Sequence, residues 1–251
     1  MVKISAIVSI YNAREFLAGR LFNLLCQDNA HELEIVAAIC GSKHKEDYTV
    51  LNEAAECNPN ITIIEKPRIP LYAAWNVGIE AAKGEYICNA NCDDRLAPWA
   101  LRKLSDVLDK GADVAYSSWW CTTTKNPLWN GEWELYMGDP VYYPQGRVMW
   151  GHTPFSYRRL AEQCYLGPGP LWRKSLWYKT GGFDESFGIA ADYEMWSKMA
   201  LVGAKIEPLP LYAGLFYHSD NQLSRANGEQ LGFENHRIRH RYMKQLQEYG
   251  A

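Results

Sequence analysis

The amino-acid sequence predicts an α/β fold in which a mostly parallel central sheet is flanked by helices. Short apolar runs of strand length alternate with longer segments whose apolar residues recur at helical spacing, which is typical of repeated strand–helix–strand units. The chain has 251 residues, of which 47% are hydrophobic and 22% are charged, so it is long enough to bury one sizeable core. No repeat, low-complexity tract or linker interrupts the sequence, and we therefore expect one continuous domain over residues 1–251.

Five segments in the first 118 residues have the length and composition of buried strands. They are short runs of apolar and β-branched residues, separated by segments with a helical pattern. The predicted strands are Ile4–Ile10, Glu34–Cys40, Ile61–Glu65, Tyr86–Ala90 and Asp113–Ser118. In a parallel sheet ligands bind outside the carboxyl ends of the strands, so the residues that follow each run are the first candidates for a site.

Four helices are predicted between these strands. Their apolar residues recur every three or four positions, and several of their ends are marked by proline or glycine, such as Pro59, Gly84 and Pro98. The predicted helices are Glu15–Cys26, Lys45–Cys57, Leu71–Ala82 and Pro98–Lys110. Each would connect two parallel strands by a right-handed crossover.

The segment Cys121–Leu166 breaks this alternation, because it is rich in turn residues and aromatic rings. The tryptophans in or beside it are Trp119, Trp120, Trp129, Trp133 and Trp150. A long irregular segment inside a compact domain is usually functional or mobile. The rings form either part of a binding site or a hydrophobic cover over the sheet, and both interpretations stay open. The elements predicted after this segment are a helix over about Ala190–Val202, a strand over Leu211–His218 and a terminal helix over about Glu229–Glu248.

Charge and cysteine content restrict the classes of protein that the chain can belong to. The 26 basic and 29 acidic residues give a net charge of −3, which argues against nucleic-acid binding through global charge and leaves only a local basic patch. No apolar run reaches the ~18 residues that a membrane span needs, and the N-terminus lacks a signal-peptide pattern. Seven cysteines at irregular spacing favour free thiols and a cytoplasmic protein.

Three side chains with oxygen atoms follow the predicted strand Tyr86–Ala90, namely Asn91, Asp93 and Asp94. Residues i and i+2 of an extended segment point the same way, so Asn91 and Asp93 can face one ligand. Hard oxygen ligands suit Mg²⁺ or Mn²⁺, particularly when diphosphate oxygens complete the coordination shell. A surface turn explains these residues equally well, because Asn and Asp are common in turns.

A second acidic segment follows the glycine turn at Gly181-Gly182 and reaches Asp192 and Glu194, near the start of a predicted helix. Acidic residues at a helix N-terminus often act only as caps or as partners of the helix dipole. The functional alternative is that one carboxylate acts as a general base toward a hydroxyl group. The segment alone does not distinguish these two interpretations.

Together these segments resemble the family 2 glycosyltransferases, a large group of inverting enzymes with the GT-A fold. The order and spacing of the motifs carry the resemblance through most of the chain, with the exception of Cys121–Leu166. The matching segments are Ile7–Asn12, Tyr72–Ile79, Gly84–Ile87, Asn91–Asp94, Gly181–Glu185 and Asp192–Trp196. The resemblance implies one GT-A domain in which residues 1–118 bind the nucleotide sugar and residues 119–251 bind the acceptor.

The resemblance also implies catalytic and metal-binding roles. Asn91-Cys92-Asp93 falls on the family's Asp-x-Asp motif, so Asp93 and Asn91 would hold Mn²⁺ or Mg²⁺, and Asp94 would lie toward the sugar or the metal. Asp192 falls on the family's catalytic base, and Glu194 would orient the acceptor or serve as the alternative base. His218, at the end of a late strand, would be a third metal ligand.

The remaining implied roles concern the two substrates. Tyr11, Asn12, Gly41 and Asn76 would join Asn91 and Asp94 in binding the donor nucleotide, and three tryptophans would contact the acceptor. These are Trp119, Trp120 and Trp150.

Some positions depart from the family pattern. Ile39-Cys40-Gly41-Ser42 stands where the family usually has Asp-Asp-Gly-Ser, so no carboxylate can read the nucleobase there. Backbone groups then read the base, or the nucleotide is unusual, or its affinity is weak. Asn91 carries one negative charge less than the usual Asp, which should weaken metal binding. Trp75 replaces a common Arg and either stacks on a ring or is buried between helix and sheet.

The resemblance thus implies a metal-dependent inverting glycosyltransferase that moves a sugar from a nucleotide-diphosphate donor to a hydroxyl acceptor. A saccharide in surface polysaccharide synthesis is the favoured acceptor, and a modified nucleic-acid base is the alternative. A non-catalytic homologue that binds carbohydrate or nucleotide is the alternative function. The basic stretch at residues 236–241 is expected to be a solvated helix face, with peripheral contact to a membrane or to nucleic-acid phosphates as alternatives.

Overall fold

A computed structural model describes residues 2–129, 148–149 and 154–250. The strands in these residues are β1 (Ile4–Ile10), β2 (Leu33–Cys40), β3 (Ile61–Lys66), β4 (Tyr86–Asn89), β5 (Arg95–Leu96), β6 (Val114–Thr122), β7 (Val148–Met149), β8 (Leu171–Arg173) and β9 (Ile206–Tyr217). The helices are α1 (Leu17–Leu25), α2 (Lys45–Cys57), α3 (Leu71–Ala81), α4 (Ala100–Asp109), α5 (Tyr157–Glu162), α6 (Lys174–Thr180), α7 (Ala191–Leu201), α8 (Leu223–Ala226) and α9 (Gly228–Tyr249).

The described strands form one nine-stranded sheet in the order β3-β2-β1-β4-β8-β6-β9-β5, with β7 paired to β6. Strands β1 to β4 are parallel to one another, and β8 reverses the direction between β4 and β6. Because β9 is parallel to β6, the six longest strands all run the same way, and only the short strands β5, β7 and β8 oppose them. The predicted α/β fold with a mostly parallel sheet is confirmed.

Alternating residues of β1 pack into two separate cores, one on each face of the sheet. Ile4, Val8 and Ile10 are buried on the face that α1 and α4 cover. Ile7 is buried on the opposite face, against α3, α7 and α9. This arrangement explains why the strands are almost entirely apolar, since a parallel strand with helices on both faces has no solvent-exposed side.

Strand β9 begins earlier than the sequence predicts, at Ile206 rather than at Leu211. Pro208 and Pro210 lack the amide hydrogen that a paired strand donates, and for that reason they indicated a later start. In the described residues the prolines lie where β9 pairs with β6 alone, because β5 pairs only with Gly214 and Leu215. The ladder accommodates them through register shifts in β6 between Ser117 and Trp119.

The region between residues 154 and 180 is more ordered than the sequence predicts. It contains α5, the three-residue strand β8 and α6, of which β8 is the central link between β4 and β6. Residues 130–147 and 150–153 of the predicted irregular segment, which include Trp133 and Trp150, lie outside the described residues. All seven cysteines belong to the described part of the chain and are free thiols.

Candidate active site

A cleft of about 950 Å³ opens at the carboxyl ends of β1, β2 and β4. Tyr11, Cys40 and the loop that begins at Asn91 line its sheet side. The first turn of α7 lines the facing wall, and the segment 221–227 and α9 extend that wall. The N-terminal half of the chain therefore supplies the sheet side of the cleft, and the C-terminal half supplies the wall that faces it.

The acidic loop after β4 presents its carboxylates to this cleft. Asp93 and Asp94 both line the cleft, and Asp94 is almost fully buried. Asp94 Oδ2 accepts a hydrogen bond of 3.1 Å from Asn91 Nδ2, and its Oδ1 accepts one of 3.2 Å from the amide of Tyr217 in β9. Burial raises the pKa of both Asp93 and Asp94, and the neighbouring Asp93 raises the pKa of Asp94 further.

Two buried arginines hold this loop by its backbone rather than by its carboxylates. Arg20 Nη1 donates to the carbonyl oxygen of Asp94 at 3.2 Å. Arg95 Nη1 donates to the carbonyl oxygens of Cys92 and Asp94, at 2.8 and 2.6 Å. Within the described residues no Lys, Arg or His side chain forms an ion pair with Asp93 or Asp94. The two arginines thus lie close enough to oppose the rise that burial causes in the pKa of Asp93, but neither occupies its carboxylate, which stays available to a ligand in the cleft.

This donor set fits a divalent cation. The side-chain oxygen of Asn91 and the carboxylate of Asp93 are hard ligands, and both residues line the cleft. A Mg²⁺ or Mn²⁺ site of this kind uses one or two protein carboxylates and completes its shell with substrate phosphates and water. The described residues contain no preformed group of three or more His, Cys, Asp or Glu side chains suited to a metal.

His218 is not part of such a ligand group. Its Nε2 lies 2.7 Å from Nη1 of Arg225, which can only donate, so the ring nitrogen accepts. Burial and the Arg225 charge lower the pKa of His218, which keeps the ring neutral. Arg225 also pairs with Asp220 at 3.1 Å and lines the cleft. The predicted metal-ligand role of His218 would require Arg225 to move away from Nε2.

Asp192 lies in the first turn of α7 and lines the cleft. Its Oδ1 accepts a 2.8 Å hydrogen bond from the amide of Tyr193, which fixes the carboxylate at the helix start. Burial raises the pKa of Asp192 to about 6, and the Glu234 charge acts in the same direction. A carboxyl group with a pKa near 6 is ionised at neutral pH and basic enough to accept a proton from a hydroxyl.

The loop that leads into α7 is held by Glu234 of α9. This buried carboxylate accepts hydrogen bonds from the backbone amides of Gly188, Ile189 and Ala190, at 2.8, 2.9 and 2.9 Å. The hydroxyl of Tyr72 donates to the carbonyl oxygen of Ile189 in the same loop. Burial acts to raise the pKa of Glu234, but these hydrogen bonds outweigh it and hold that pKa below its ordinary value. Glu234 therefore fixes the position at which Asp192 enters the cleft.

Glu194 points away from this site. Two residues along a helix correspond to a rotation of about 200°, so Glu194 faces the opposite side of α7 from Asp192. It is buried, accepts a 2.6 Å hydrogen bond from the hydroxyl of Tyr242, and forms an ion pair with Lys198 at 2.9 Å. The structure thus places Glu194 between α7 and α9, apart from the cleft in which it was expected to orient an acceptor.

The predicted nucleotide-binding residues at the ends of β1 and β2 lie close together. Tyr11 lines the cleft, and the guanidinium carbon of Arg68 lies 3.8 Å from the centre of its ring. Asn12 adopts the left-handed conformation at φ 53°, and its side chain accepts a 2.9 Å hydrogen bond from the amide of Lys43. Gly41 has φ +64°, and a Cβ there would meet the Arg68 amide nitrogen at 2.7 Å, so the turn after β2 requires glycine.

The side-chain amide of Asn76 is engaged in hydrogen bonds within the protein. Its Oδ1 accepts hydrogen bonds from the Phe183 amide at 2.9 Å and from Trp177 Nε1 at 3.0 Å, and its Nδ2 donates to the carbonyl oxygen of Phe183 at 2.9 Å. Its side chain therefore holds the turn that follows Gly181-Gly182, instead of facing a donor. Trp75, in the same helix, packs edge-on against Tyr72 and is 5% exposed, although it is among the residues that line the cleft.

The described tryptophans do not form an exposed stacking surface at the cleft. Trp119 is 1% exposed, and Cβ atoms added at Gly169 and Gly214 would meet its ring at 2.7 and 2.3 Å. Trp120 stacks on Tyr212, with ring centres 4.2 Å apart. Trp119 thus belongs to the core rather than to an acceptor site, and Trp150 lies outside the described residues.

Sequence reasoning missed several residues that shape the cleft. Arg68 follows β3, so the strand-end rule that selected Asn91 would have found it as well. Glu234 and Arg239 had no comparable signal, because their roles depend on how the last helix packs. The stretch at residues 236–241 is only partly a solvated face. Arg239 lines the cleft, and the guanidinium carbon of Arg237 lies 4.4 Å from the ring centre of Phe187.

Comparison with known proteins gives one family match. The model of the Glycosyl transferase family 2 matches residues 5–164. Chondroitin synthase from Pasteurella multocida is 24% identical over 201 residues, which cover 80% of this chain and 19% of that protein. Chondroitin synthase from Escherichia coli is 24% identical over 204 residues, which cover 80% of this chain and 27% of that protein. The chain spans about a fifth to a quarter of the length of these relatives.

Solved structures share the fold at low sequence identity. Residues 1–349 of TarS from S. aureus, in complex with UDP, superpose with a TM-score of 0.69 at 20% identity, covering 95% of this chain and 64% of that one. The mannosyltransferase PcManGT from Pyrobaculum calidifontis, in complex with GDP-Man and Mn²⁺, gives a TM-score of 0.62 at 17% identity, covering 87% and 58%. In the part of the chain that the structure describes, no helix is both long and apolar enough to cross a membrane.

Proposed function

We propose that this chain, which belongs to glycosyl transferase family 2, transfers a sugar from a nucleotide-diphosphate donor to a hydroxyl group of an acceptor. The transfer inverts the configuration at the anomeric carbon. One observation carries the proposal. Asp93, in the loop after β4, and Asp192, in the first turn of α7, line the same cleft. The first can hold the donor diphosphate through a cation, and the second can take a proton from the acceptor.

The donor side of the proposal uses the residues at the strand ends. Asn91 and Asp93 would hold Mn²⁺ or Mg²⁺, which, when bound, stabilises the negative charge that develops on the departing diphosphate. Tyr11 and the Arg68 guanidinium above it would contact the nucleotide. The relatives support this choice of ligand, since TarS has been solved with UDP and UDP-GlcNAc, and PcManGT with GDP-Man and Mn²⁺.

The chemical step requires one base and no covalent intermediate on the protein. The acceptor hydroxyl oxygen attacks the anomeric carbon, the bond from that carbon to the diphosphate oxygen breaks, and the hydroxyl proton passes to Asp192. The nucleoside diphosphate leaves with the bonding electron pair. A pKa near 6 suits Asp192 to this step, because the carboxylate is ionised at neutral pH while keeping affinity for a proton.

A saccharide acceptor follows from the relatives rather than from the cleft alone. The matched proteins are named as synthases of chondroitin and hyaluronan, which are polysaccharides. We therefore propose that this chain extends or decorates a polysaccharide. The alternative is that the chain is a non-catalytic homologue that only binds carbohydrate or nucleotide, and an assay of turnover distinguishes the two functions.

The test is release of nucleoside diphosphate from a panel of UDP-, GDP- and dTDP-sugars in the presence of Mn²⁺, with and without oligosaccharide acceptors. We expect one donor to be consumed, at a rate that falls by at least ~100-fold in Asp192→Asn, the usual scale for a general base. Asp184→Asn is the matched control, since Asp184 pairs with Arg241 outside the cleft lining and should leave turnover near normal. Nucleotide binding without turnover of any donor would favour the non-catalytic homologue.

A further inference from the structure

Three arginines line the cleft, and two of them already have partners. The guanidinium of Arg68 stacks on Tyr11 at the strand ends, and Arg225 is bonded to His218 and Asp220. Arg239 is different. Its one hydrogen bond in the described residues joins Nη1 to the carbonyl oxygen of Glu162 at 3.5 Å, and no described carboxylate lies within ion-pair distance of it. Arg239 is therefore the one of these three guanidinium groups that has neither an ion pair nor a stacked ring within the described residues.

Two side-chain amides lie beside Arg239 with their hydrogen-bonding capacity unused. Asn235 precedes Arg239 by four residues on α9, so the two project from the same face of the helix. Gln163 directly follows Glu162, whose carbonyl oxygen Arg239 contacts. Asn235 and Gln163 both line the cleft, and neither side chain makes a hydrogen bond within the described residues. Polar groups at a binding site that stay unpaired in the free protein are available to a ligand.

Arg239 lies on the acceptor side of the cleft. The donor-binding residues of the proposed function project from the ends of β1 and β4, whereas Arg239 lies on α9, which packs against both α5 and α7. Helix α7 carries Asp192, the proposed base. A group bound at Arg239 would therefore belong to the molecule whose hydroxyl approaches Asp192, and not to the nucleotide.

The charges of the cleft indicate what this group is. Asp93 and Asp192 line the cleft, and the donor brings a negatively charged diphosphate, so an anionic acceptor would be repelled without a local cation. A neutral sugar needs no such cation. A planar guanidinium matches the two oxygens of a carboxylate or phosphate and holds them by paired charged hydrogen bonds.

We propose that Arg239, with Asn235 and Gln163, forms a subsite for an acidic group on the acceptor, a carboxylate or phosphate carried close to the hydroxyl that is glycosylated. This inference rests on the proposed function for the identity of the acceptor. The subsite itself is defined by the unpaired guanidinium and the two amides. Acceptor chains with uronic acid units and acceptor chains of polyol phosphate share this chemistry.

The test measures equilibrium binding of three fluorescently labelled probes to the protein saturated with UDP and Mn²⁺. The probes are a β-linked oligosaccharide ending in glucuronate, the same oligosaccharide ending in glucose, and a glycerol-phosphate oligomer. We expect one acidic probe to bind at least about tenfold more tightly than the neutral one, as charged hydrogen bonds of this kind provide. Whichever acidic probe is preferred identifies the source of the acidic group.

Substitutions in α9 distinguish binding at the proposed subsite from a general attraction of acidic probes to basic residues. Arg239→Gln should remove the preference for the acidic probe and leave binding of the neutral probe unchanged. Arg239→Lys keeps the positive charge but loses the planar guanidinium, so it should retain part of the preference for the acidic probe. This second variant keeps the test informative even if Arg239→Gln folds poorly. Lys244→Gln is the matched control, because Lys244 is 89% exposed on the same helix and should preserve the preference.

Two results would overturn the inference. These are equal binding of the neutral and acidic probes to the wild-type protein, and an undiminished acidic preference in Arg239→Gln. Release of nucleoside diphosphate, measured in parallel, reports on the proposed function separately. Absence of turnover together with an Arg239-dependent preference would refute the transferase function and support the anion subsite. Turnover without any preference for an acidic probe would support the transferase function and refute the subsite.

Discussion

Replacement of Asp192 by asparagine should stabilise the fold while it lowers the rate of transfer by at least ~100-fold. Burial raises the pKa of Asp192 from its ordinary value of 3.8 to about 6 in the folded protein. A difference of about two in pKa corresponds to about 3 kcal/mol of free energy. At pH 7.5 the carboxyl group is ionised in both the folded and the unfolded state, and the folded state alone bears this cost. Asparagine has no charge to bury, and it keeps the oxygen that accepts from the Tyr193 amide.

The sign of the pH dependence follows from the raised pKa. The carboxyl group favours the folded state when it is protonated, and this contribution is lost as the pH rises through about 6. The advantage of asparagine is therefore largest above pH 6, declines as the pH falls, and vanishes below 3.8, where Asp192 is neutral in both states. Since the cleft side of Asp192 faces solvent, the 3 kcal/mol is an upper limit, and we expect a gain of about 1–3 kcal/mol at pH 7.5 and at most ~1 kcal/mol at pH 4.5.

The assay is urea unfolding of both proteins at pH 7.5 and pH 4.5, with EDTA present to remove divalent cations. Asp184→Asn provides a control of opposite sign. Burial acts to raise the pKa of Asp184, but hydrogen bonds from Ser186 and Arg241 outweigh it and hold that pKa below its ordinary value, so this variant should lose stability at neutral pH. The reasoning is refuted if Asp192→Asn is no more stable than the parent protein at pH 7.5, or if its gain does not shrink at pH 4.5.

Three further substitutions test other parts of the site and its support. Asp93→Ala should abolish the strengthening of nucleotide binding by Mn²⁺, measured by calorimetry with Mn²⁺ or with EDTA. Glu234→Gln should lower the free energy of unfolding by about 1–3 kcal/mol in urea titrations, because an amide group replaces one acceptor oxygen opposite backbone amides. Gly214→Ala should lower thermal stability by about 1–3 kcal/mol, because its Cβ would lie 2.3 Å from the Trp119 ring.

Two of these substitutions have a matched control, and each of the three has an outcome that would contradict it. Asp106→Ala removes an exposed acid of α4 and should leave the strengthening of nucleotide binding by Mn²⁺ intact. If Mn²⁺ still strengthened nucleotide binding in Asp93→Ala, the proposed metal site would be contradicted. An unchanged urea midpoint in Glu234→Gln would show that the loop before α7 does not depend on this carboxylate. Gly232→Ala on α9 meets nothing within 4 Å and should raise stability by up to ~1 kcal/mol, in contrast to Gly214→Ala.

The sequence was sufficient to predict the longer strands and helices in the first half of the fold, because those strands are buried on both faces, but it did not indicate the two-residue strand β5. The predicted bounds of the first strand and the second helix, Ile4–Ile10 and Lys45–Cys57, match β1 and α2. Short elements carry too few residues to show a period. β8 has three residues, yet it joins β4 to β6, and no local pattern could have indicated that position.

Where the position of a residue in an element determines its direction, the sequence indicated which side chains would reach the cleft. Asp93 follows a strand and Asp192 begins a helix, and both line the cleft. It was less informative for Glu194, which is close to Asp192 in sequence but projects from the opposite side of α7. Glu234 and Arg239 reach the site only through packing between α9 and distant segments. Such long-range contacts leave no trace in local composition.

The position of β8 also has a consequence for how the chain is made. β4 ends at Asn89 and its sheet neighbour β8 begins at Leu171, which is 82 residues later (171 minus 89). At synthesis rates of about 5–20 residues per second, β4 has an open edge for roughly 4–16 s on the ribosome. An exposed strand edge is a template for pairing with other chains. Nascent or truncated chains that end between Asn89 and Leu171 should therefore aggregate, and a chaperone that covers this edge should raise the yield of folded protein.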